Sequence, residues 1–382
     1  MPHYDFLVGT FNTPHIYTLT LTLPSTATIS SENSQNSSLT VTKRHDAVGS
    51  HSWLHLTPPF NTARPVPAQA RGHSAFTRRN LYATAWTEPP SVVAYAVESP
   101  TSIKLLGQGR TKMRSGYVTA SDRAVYSAGG ATGEAISFVD ATGRQEDDGS
   151  VLDFGGLRHG AHSADLSPDG SVLYVADIGR NAIWSYTVDS QHGKIALAQK
   201  LISPRPNDGP RHVWPHPAGK VVYVLQEHTS HVDVFDVAPG PKLQHAQGVR
   251  IIPEGLNVQD FWADEVRSSL SDGDRPRWIY ASTRGLQADT KGWLAVFAID
   301  ADGHVDASTG DKGLVALWET PTSGGWANAV QPGPTVNGIE YLALTDSEEG
   351  WVFVISWDGK EIKEVARSQL DKGAGAATAV WL

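Results

Sequence analysis

Arg114, His162 and Arg211 each stand 12 residues ahead of a tyrosine that closes a β-rich run (Tyr126, Tyr174 and Tyr223), and Glu227 and Arg284 each stand 4 residues after one (Tyr223 and Tyr280). If those tyrosines mark one place in a repeated unit, these five side chains sit at related heights around a common axis. Their chemistry is that of an anion site with an acid–base group. Guanidinium forks match carboxylates bidentately, and a carboxyl or an imidazole can move a proton. Any one of them alone reads more plainly as the polar lining of a wet channel. As a set, Arg114, Arg211 and Arg284 would repel one another: at about 4 Å and an effective dielectric near 20, each like-charged pair costs on the order of 4 kcal/mol, which Glu227 alone does not offset. A small polyanion between them is the expected remedy.

The repeat that must position them is clearest at 159–237. HGAHSADLSPDGSVLYVADIGRNAIWSYTVD is followed, 49 residues on, by GPRHVWPHPAGKVVYVLQEHTSHVDVFDV. Each copy runs from an apolar stretch into a Pro-x-Gly turn (Pro168 to Gly170, Pro217 to Gly219), then a run ending in Tyr, a polar break and an alternating strand. Short strands grouped in units of roughly 40 to 50 residues are the pattern of propeller blades. Aligning on the aromatic position gives Phe6, Tyr82, Tyr126, Tyr174, Tyr223, Tyr280 and Tyr341, at gaps of 76, 44, 48, 49, 57 and 61. The expected fold is therefore all-β, a seven-bladed β-propeller formed as a single domain over 1–382, with loop insertions near 24–40, 57–70 and 264–276. Phe6 to Thr10 lacks a preceding strand and Ala376 to Trp381 lacks a following one, so the two ends are expected to pair and close the ring. The hairpin from Arg211 to Glu227, centred on Gly219 with 8 residues on either side, should bring both of its ends to one mouth.

Composition narrows the function. With no Cys, the chain has no disulfides and no thiolate metal site. A net charge of −9 argues against a nucleic-acid surface. The opening MPHYDFLVGTF lacks the flank and apolar core of a signal peptide, and no run of about 18 apolar residues is present. A cytoplasmic protein with a small-molecule partner, and no membrane partner, is the expectation; association into homo-oligomers is left open. His159-x-x-His162, His212-x3-His216 and His228-x-x-His231 imitate metal spacings, but on strands they do not converge as on a helix, and no metal or cofactor is expected. Thr322 to Gly325 and Gly129-Gly130 read as turns rather than phosphate loops. Ser163 beside His162 suggests a nucleophile, yet strand neighbours point to opposite faces. Most of the 12 Trp should pack between blades, with Trp53, Trp86 and Trp326 placed to wall a planar ligand.

HSADLSPDGSVLYVAD and GPRHVWPHPAGKVVYVLQE resemble the seven-bladed lactonase propellers, which include bacterial 6-phosphogluconolactonases and fungal 3-carboxy-cis,cis-muconate lactonizing enzymes. YASTRG, TPTSGGWANAV and LTDSEEGW in the last third are similar to the fungal cyclases in particular, and the likeness runs from GTFNTP to ATAVWL. The resemblance implies a cofactor-free cycloisomerase that closes a lactone on a muconate-type polycarboxylate in aromatic catabolism. It implies a catalytic set of His162, Arg211, Glu227 and Arg284; beside these, Arg114, Trp53, Trp326 and Asn328 are expected to bind substrate. Where the cyclase pattern has His ahead of Ser-Asn, this chain reads Trp326-Ala327-Asn328, which implies a more apolar pocket. Glu227 is the first choice of proton donor and His162 the second. A hydrolytic lactonase using the same pocket, and a propeller acting only as an interaction scaffold, are the alternatives.

Overall fold

Phe6, Tyr82, Tyr126, Tyr174, Tyr223, Tyr280 and Tyr341 each lie on the second strand of a separate four-stranded antiparallel sheet, and the computed structural model contains seven such sheets. It describes residues 1–24, 37–58, 78–138, 150–153 (backbone only), 160–270 and 275–382. Six of the sheets run in chain order from an inner strand at the axis to an outer one, as in Ala161–Leu166, Val172–Asp177, Ala182–Val188 and Ile195–Ile202. This is a seven-bladed β-propeller. We number blades by their second strands: blade 1 carries Phe6, blade 2 Tyr82, and so on to blade 7 with Tyr341.

The aromatic repeat exists because it fastens one blade to the next. These rings are buried to 9% exposure or less, and three of their hydroxyls reach the following blade. Tyr126 donates to the Gly193 carbonyl at 2.8 Å, Tyr223 to the Gly303 carbonyl at 2.6 Å, and Tyr280 to Glu340 Oε2 at 2.7 Å. An apolar body with one satisfiable polar tip suits a sheet-on-sheet interface.

Blade 1 joins the two ends of the chain. Ala376–Trp381 is its inner strand and pairs with His3–Thr10, matching Phe6 with Trp381, Leu7 with Val380 and Val8 with Ala379. The Phe6 and Trp381 rings meet at 4.5 Å, and Trp381 Nε1 donates to the Gln331 carbonyl of blade 7 at 3.1 Å.

The expected insertion at 264–276 needs correction. Asp264 to Ser268 belong to the inner strand Phe261–Ser268 of blade 6; Asp264 and Glu265 line the axial cavity, whereas Val266 packs in the apolar core. Of the other two expected insertions, residues 25–36 of the first and 59–70 of the second lie outside the described residues, as does His159; Ser38 to Thr40 belong to the outer strand Ser38–Asp46 of blade 1. Among the described residues, no helix is long and apolar enough to cross a membrane.

Candidate active site

The inner strands of blades 4, 5 and 6 share an irregularity at one height. Strand pairing skips a residue between Ala161 and Ser163, between Pro210 and His212, and between Ala263 and Glu265. The skipped residues are His162, Arg211 and Asp264. A bulge of this kind breaks the alternation of faces and re-aims a side chain. All three line a cavity of about 320 Å³ at the axis. The other four blades contribute Ser52, Gly116, Ala329 and Ala377. One half of the rim thus carries the chemistry, and the other is kept small. Phe11, Trp53, Trp86, Trp262, Trp326 and Ala327 complete an apolar wall.

Arg211 is the hub. Its Nε donates to Glu227 Oε1 at 3.1 Å, Nη2 lies 2.5 Å from Asp264 Oδ1, and Nη1 donates to the Asp264 backbone carbonyl. Arg284 Nη2 approaches the same Glu227 oxygen at 3.7 Å. It stacks at 4.9 Å on Trp262 and donates from Nη1 to the Gly325 carbonyl at 3.0 Å. That carbonyl is available because Gly325 (φ 67°) lies where an added Cβ would fall 2.6 Å from the Glu348 amide. The Thr322 to Gly325 segment is therefore a turn that seats an arginine. Arg284 Nε is buried and has no hydrogen-bond partner among the described residues.

The environment separates the protonation states. Burial alone would raise the Glu227 carboxyl, but the hydrogen bond to His228 and the charges of Arg211 and Arg284 pull it down to about 2. Burial, with Arg211 beside it, drops His162 to about 3, so its ring is neutral; its Nδ1 has no partner among the described residues. Burial also lowers Arg284, as does Arg211.

Beneath the cavity the axis is plugged. Trp53 stacks on Tyr117 at 3.9 Å, and the Arg267 guanidinium lies 4.2 Å over Trp214 and 5.2 Å over Trp53. Arg267 Nε donates to Glu265 Oε1 at 2.5 Å. The Val266 N–H donates to His212 Nδ1 at 3.1 Å, which leaves Nε2–H to donate to Tyr117, 3.0 Å away, and the Tyr117 hydroxyl donates to Asp165. With two carboxyls on one guanidinium, burial raises Asp165 and Glu265 to about 7 each, the nearby Arg267 only partly offsetting it.

The structure brings His162, Arg211, Glu227 and Arg284 together, Glu227 contacting the cavity's two guanidiniums without itself being among the residues that line it, and Trp53, Trp86 and Trp326 all reach the cavity wall. Two expected residues are elsewhere. Arg114 pairs at 3.0 Å with Glu88, and its side chain is 56% exposed. The reason is hairpin length: the inner-strand partner of Tyr126 is Thr119, seven residues back, whereas Tyr174 and Tyr223 pair with Asp165 and Trp214, nine back. Gly116 consequently holds the place that Arg114 was expected to hold. Asn328 donates its side-chain amide to the Thr283 carbonyl at 2.9 Å and its backbone N–H to Asp264, so it holds the site's frame and does not line the cavity. Ser163 accepts from the Val213 N–H at 2.9 Å and is fully buried, a structural role.

Asp264 was missed because Tyr280 pairs with Arg267, thirteen residues back, which moves the bulge out of the 12-residue frame. Aligning the inner strands themselves, AHSA, PRHV and ADEV, would have found it. Its presence also revises the charge argument. Arg211 and Arg284 face Glu227 and Asp264, so these four charges are close to balanced, and repulsion among arginines does not by itself demand a polyanion.

A model of the family described as "Lactonase, 7-bladed beta-propeller" matches residues 72–310. The chain is 38% identical over 407 residues to muconate cycloisomerase 1 of Cutaneotrichosporon cutaneum, covering 99% of this chain and 98% of that protein. It is 28% identical to carboxy-cis,cis-muconate cyclase of Neurospora crassa, covering 58% of this chain and 60% of that one. Among solved structures, a periplasmic gluconolactonase from Pseudomonas aeruginosa superposes with a TM-score of 0.69 at 16% identity, covering 100% of this chain and 99% of the other, a likeness of fold alone.

Proposed function

The chain belongs to the seven-bladed β-propeller lactonase family, and on that premise we propose that it is a cofactor-independent cycloisomerase closing a lactone ring on a muconate-type polycarboxylate, 3-carboxy-cis,cis-muconate or a close analogue. The observation that carries this reading is the pair of buried guanidiniums, Arg211 and Arg284, on adjacent blades of one aromatic-walled cavity, with a carboxylate between them. Full-length similarity to a muconate cycloisomerase supports it.

In the reaction a substrate carboxylate oxygen bonds to a carbon of the conjugated diene. The π pair shifts to the neighbouring carbon, which takes a proton, so that one proton is consumed per lactone formed. Arg211 and Arg284 hold the carboxylates and stabilise the enolate-like charge that develops. The unpartnered Arg284 Nε is a donor in reserve for a bound anion. Glu227 delivers the proton, and neutral His162 orients the substrate. The Trp86, Trp262 and Trp326 faces flank a planar diene.

A hydrolytic lactonase is the second reading, favoured by His162, whose neutral ring and open Nδ1 suit a water molecule aimed at a lactone carbonyl. Loss of diene absorbance on mixing the protein with cis,cis-muconate or 3-carboxymuconate, unaffected by chelator, is the expected result for the first reading. Acid release from a panel of lactones, with no change in the muconates, would establish the second instead.

A further inference from the structure

The cyclisation consumes a proton that Glu227 must recover from solvent, and Glu227 is only 5% exposed. Its two oxygens face different neighbours. Oε1 is the one addressed by Arg211 and Arg284, at 3.1 and 3.7 Å, whereas Oε2 lies 3.3 Å from His228 Nε2. The His228 side chain is 38% exposed, against 7% for Glu227. It therefore bridges the buried carboxylate and the outside.

The fold makes room for this ring. Gly209, at φ 70°, lies flush against it: a Cβ there would fall 2.7 Å from His228 Nδ1. Asn207, also left-handed at φ 58°, turns its backbone carbonyl to the ring as an acceptor. With a carboxylate on one side and a carbonyl on the other, both ring nitrogens are drawn to donate, and the imidazolium is the form that satisfies both. The backbone N–H groups of Glu227 and His228 donate to the carbonyls of Gly209 (2.8 Å) and Asp208 (3.0 Å), fixing the pair to the same loop. The Trp262 ring, 5.8 Å away, separates His228 from the stacked Arg284. The nearest other acid on that loop, Asp208, is occupied by Arg205 at 2.8 Å.

We propose that His228 is the proton inlet of this site, taking a proton from solvent and passing it from Nε2 to Glu227 Oε2 in each turnover, once the anionic substrate is bound. The proposal rests on the cyclisation reading above. In each cycle Glu227 gives its proton to the substrate carbon and is left as a carboxylate. When the next anionic substrate binds and lifts the carboxylate's affinity for a proton, the His228 imidazolium transfers its Nε2 proton to it, and the neutral ring is reprotonated from water. His228 does not touch the substrate; it acts through Glu227. Consistent with this role, the Glu227 contact raises His228 above the ordinary histidine value, whereas burial lowers His162 and His212.

The test is His228→Gln, followed by diene loss with cis,cis-muconate and 3-carboxymuconate in dilute buffer. The expected result is a fall in kcat of about tenfold or more with KM little changed, partial restoration by added imidazole, and no stimulation of the wild type by imidazole. A variant kcat within about twofold of wild type, or a loss that imidazole leaves untouched, overturns the proposal. Absence of turnover in the wild type overturns the cyclisation reading, and the inlet with it. Should the variant not fold, nitrogen NMR of the wild-type ring decides: His228 doubly protonated above pH about 6.5, and less so in Glu227→Gln, supports the inlet, and a neutral ring at that pH refutes it.

Discussion

Replacing Glu227 by Gln removes a charge while keeping the shape, so it isolates what the carboxylate contributes. The carboxyl is held at about 2 against a usual 4.5. At about 1.4 kcal/mol per tenfold change, that difference is worth about 3 kcal/mol of preference for the anion in the folded state. A carboxyl depressed in this way stabilises the fold above its unfolded value, and the contribution fades as the pH falls through about 2. Glu227→Gln should therefore be less stable than wild type by about 3 kcal/mol at neutral pH, with the gap narrowing below about pH 4. Asp264 still neutralises Arg211 in the variant, so a complete loss of fold is not expected. Urea unfolding of both proteins across this range gives the gap directly. Turnover of a muconate should fall by about 100-fold or more if Glu227 is the donor. A stability gap below about 1 kcal/mol, or one that does not change with pH, would refute the charge assignment. Near wild-type turnover would refute the catalytic one.

Arg267→Met strands Glu265 and Asp165 in the axial plug and should cost about 3–5 kcal/mol. Because burial raises both acids to about 7, their protonated forms suit the fold; their own contribution to stability is fullest below about pH 4 and is lost as the pH rises through 7, so unfolding at pH about 6 and 8 should show a larger deficit at the higher value. Deleting residues 375–382 removes the inner strand of blade 1 and bares Phe6, Leu7 and Val8, each 0% exposed, at about 2 kcal/mol apiece; circular dichroism should show loss of the cooperative transition. Trp326→Ala removes a ring that is 65% exposed at the mouth, so stability should hold within about 0.5 kcal/mol while KM for a muconate rises about three- to tenfold.

The parts of the site that were legible in the sequence are those protected by constant hairpin length. Blades 4 and 5 keep nine residues between the aromatic position and its inner-strand partner, so counting back from Tyr174 and Tyr223 reaches His162 and Arg211. Arg284 shares a strand with Tyr280, and Glu227 directly follows the strand Val221–Gln226 that carries Tyr223, so no insertion intervenes. Arg114 and Asp264 failed for the same reason in opposite directions, one hairpin being shorter and the other longer. Asn328 misled because polarity says nothing about which acceptor an amide will find. His228 was weighed only as a metal ligand; its significance depends on Gly209, where a side chain would collide with the ring.

The near-neutral charge of the site bears on how, under the proposed cyclisation, Glu227 would act as an acid. In the free protein it is a carboxylate held at about 2, which is a poor donor. A substrate carboxylate entering between Arg211 and Arg284 does two things to it: it draws the guanidiniums away and adds a negative charge nearby. At about 4 Å and an effective dielectric near 20, one such charge is worth on the order of 4 kcal/mol. That is about three decades in acidity, enough to lift Glu227 from about 2 to the neighbourhood of 5. A second carboxylate on the same ligand, or loss of the Arg284 contact, carries it toward neutrality. The acid is then made by the substrate that needs it, and a neutral lactone, which brings no charge, leaves Glu227 ionised and unable to protonate anything. On these electrostatics the arrangement favours ring closure on an anion over attack on an uncharged ester.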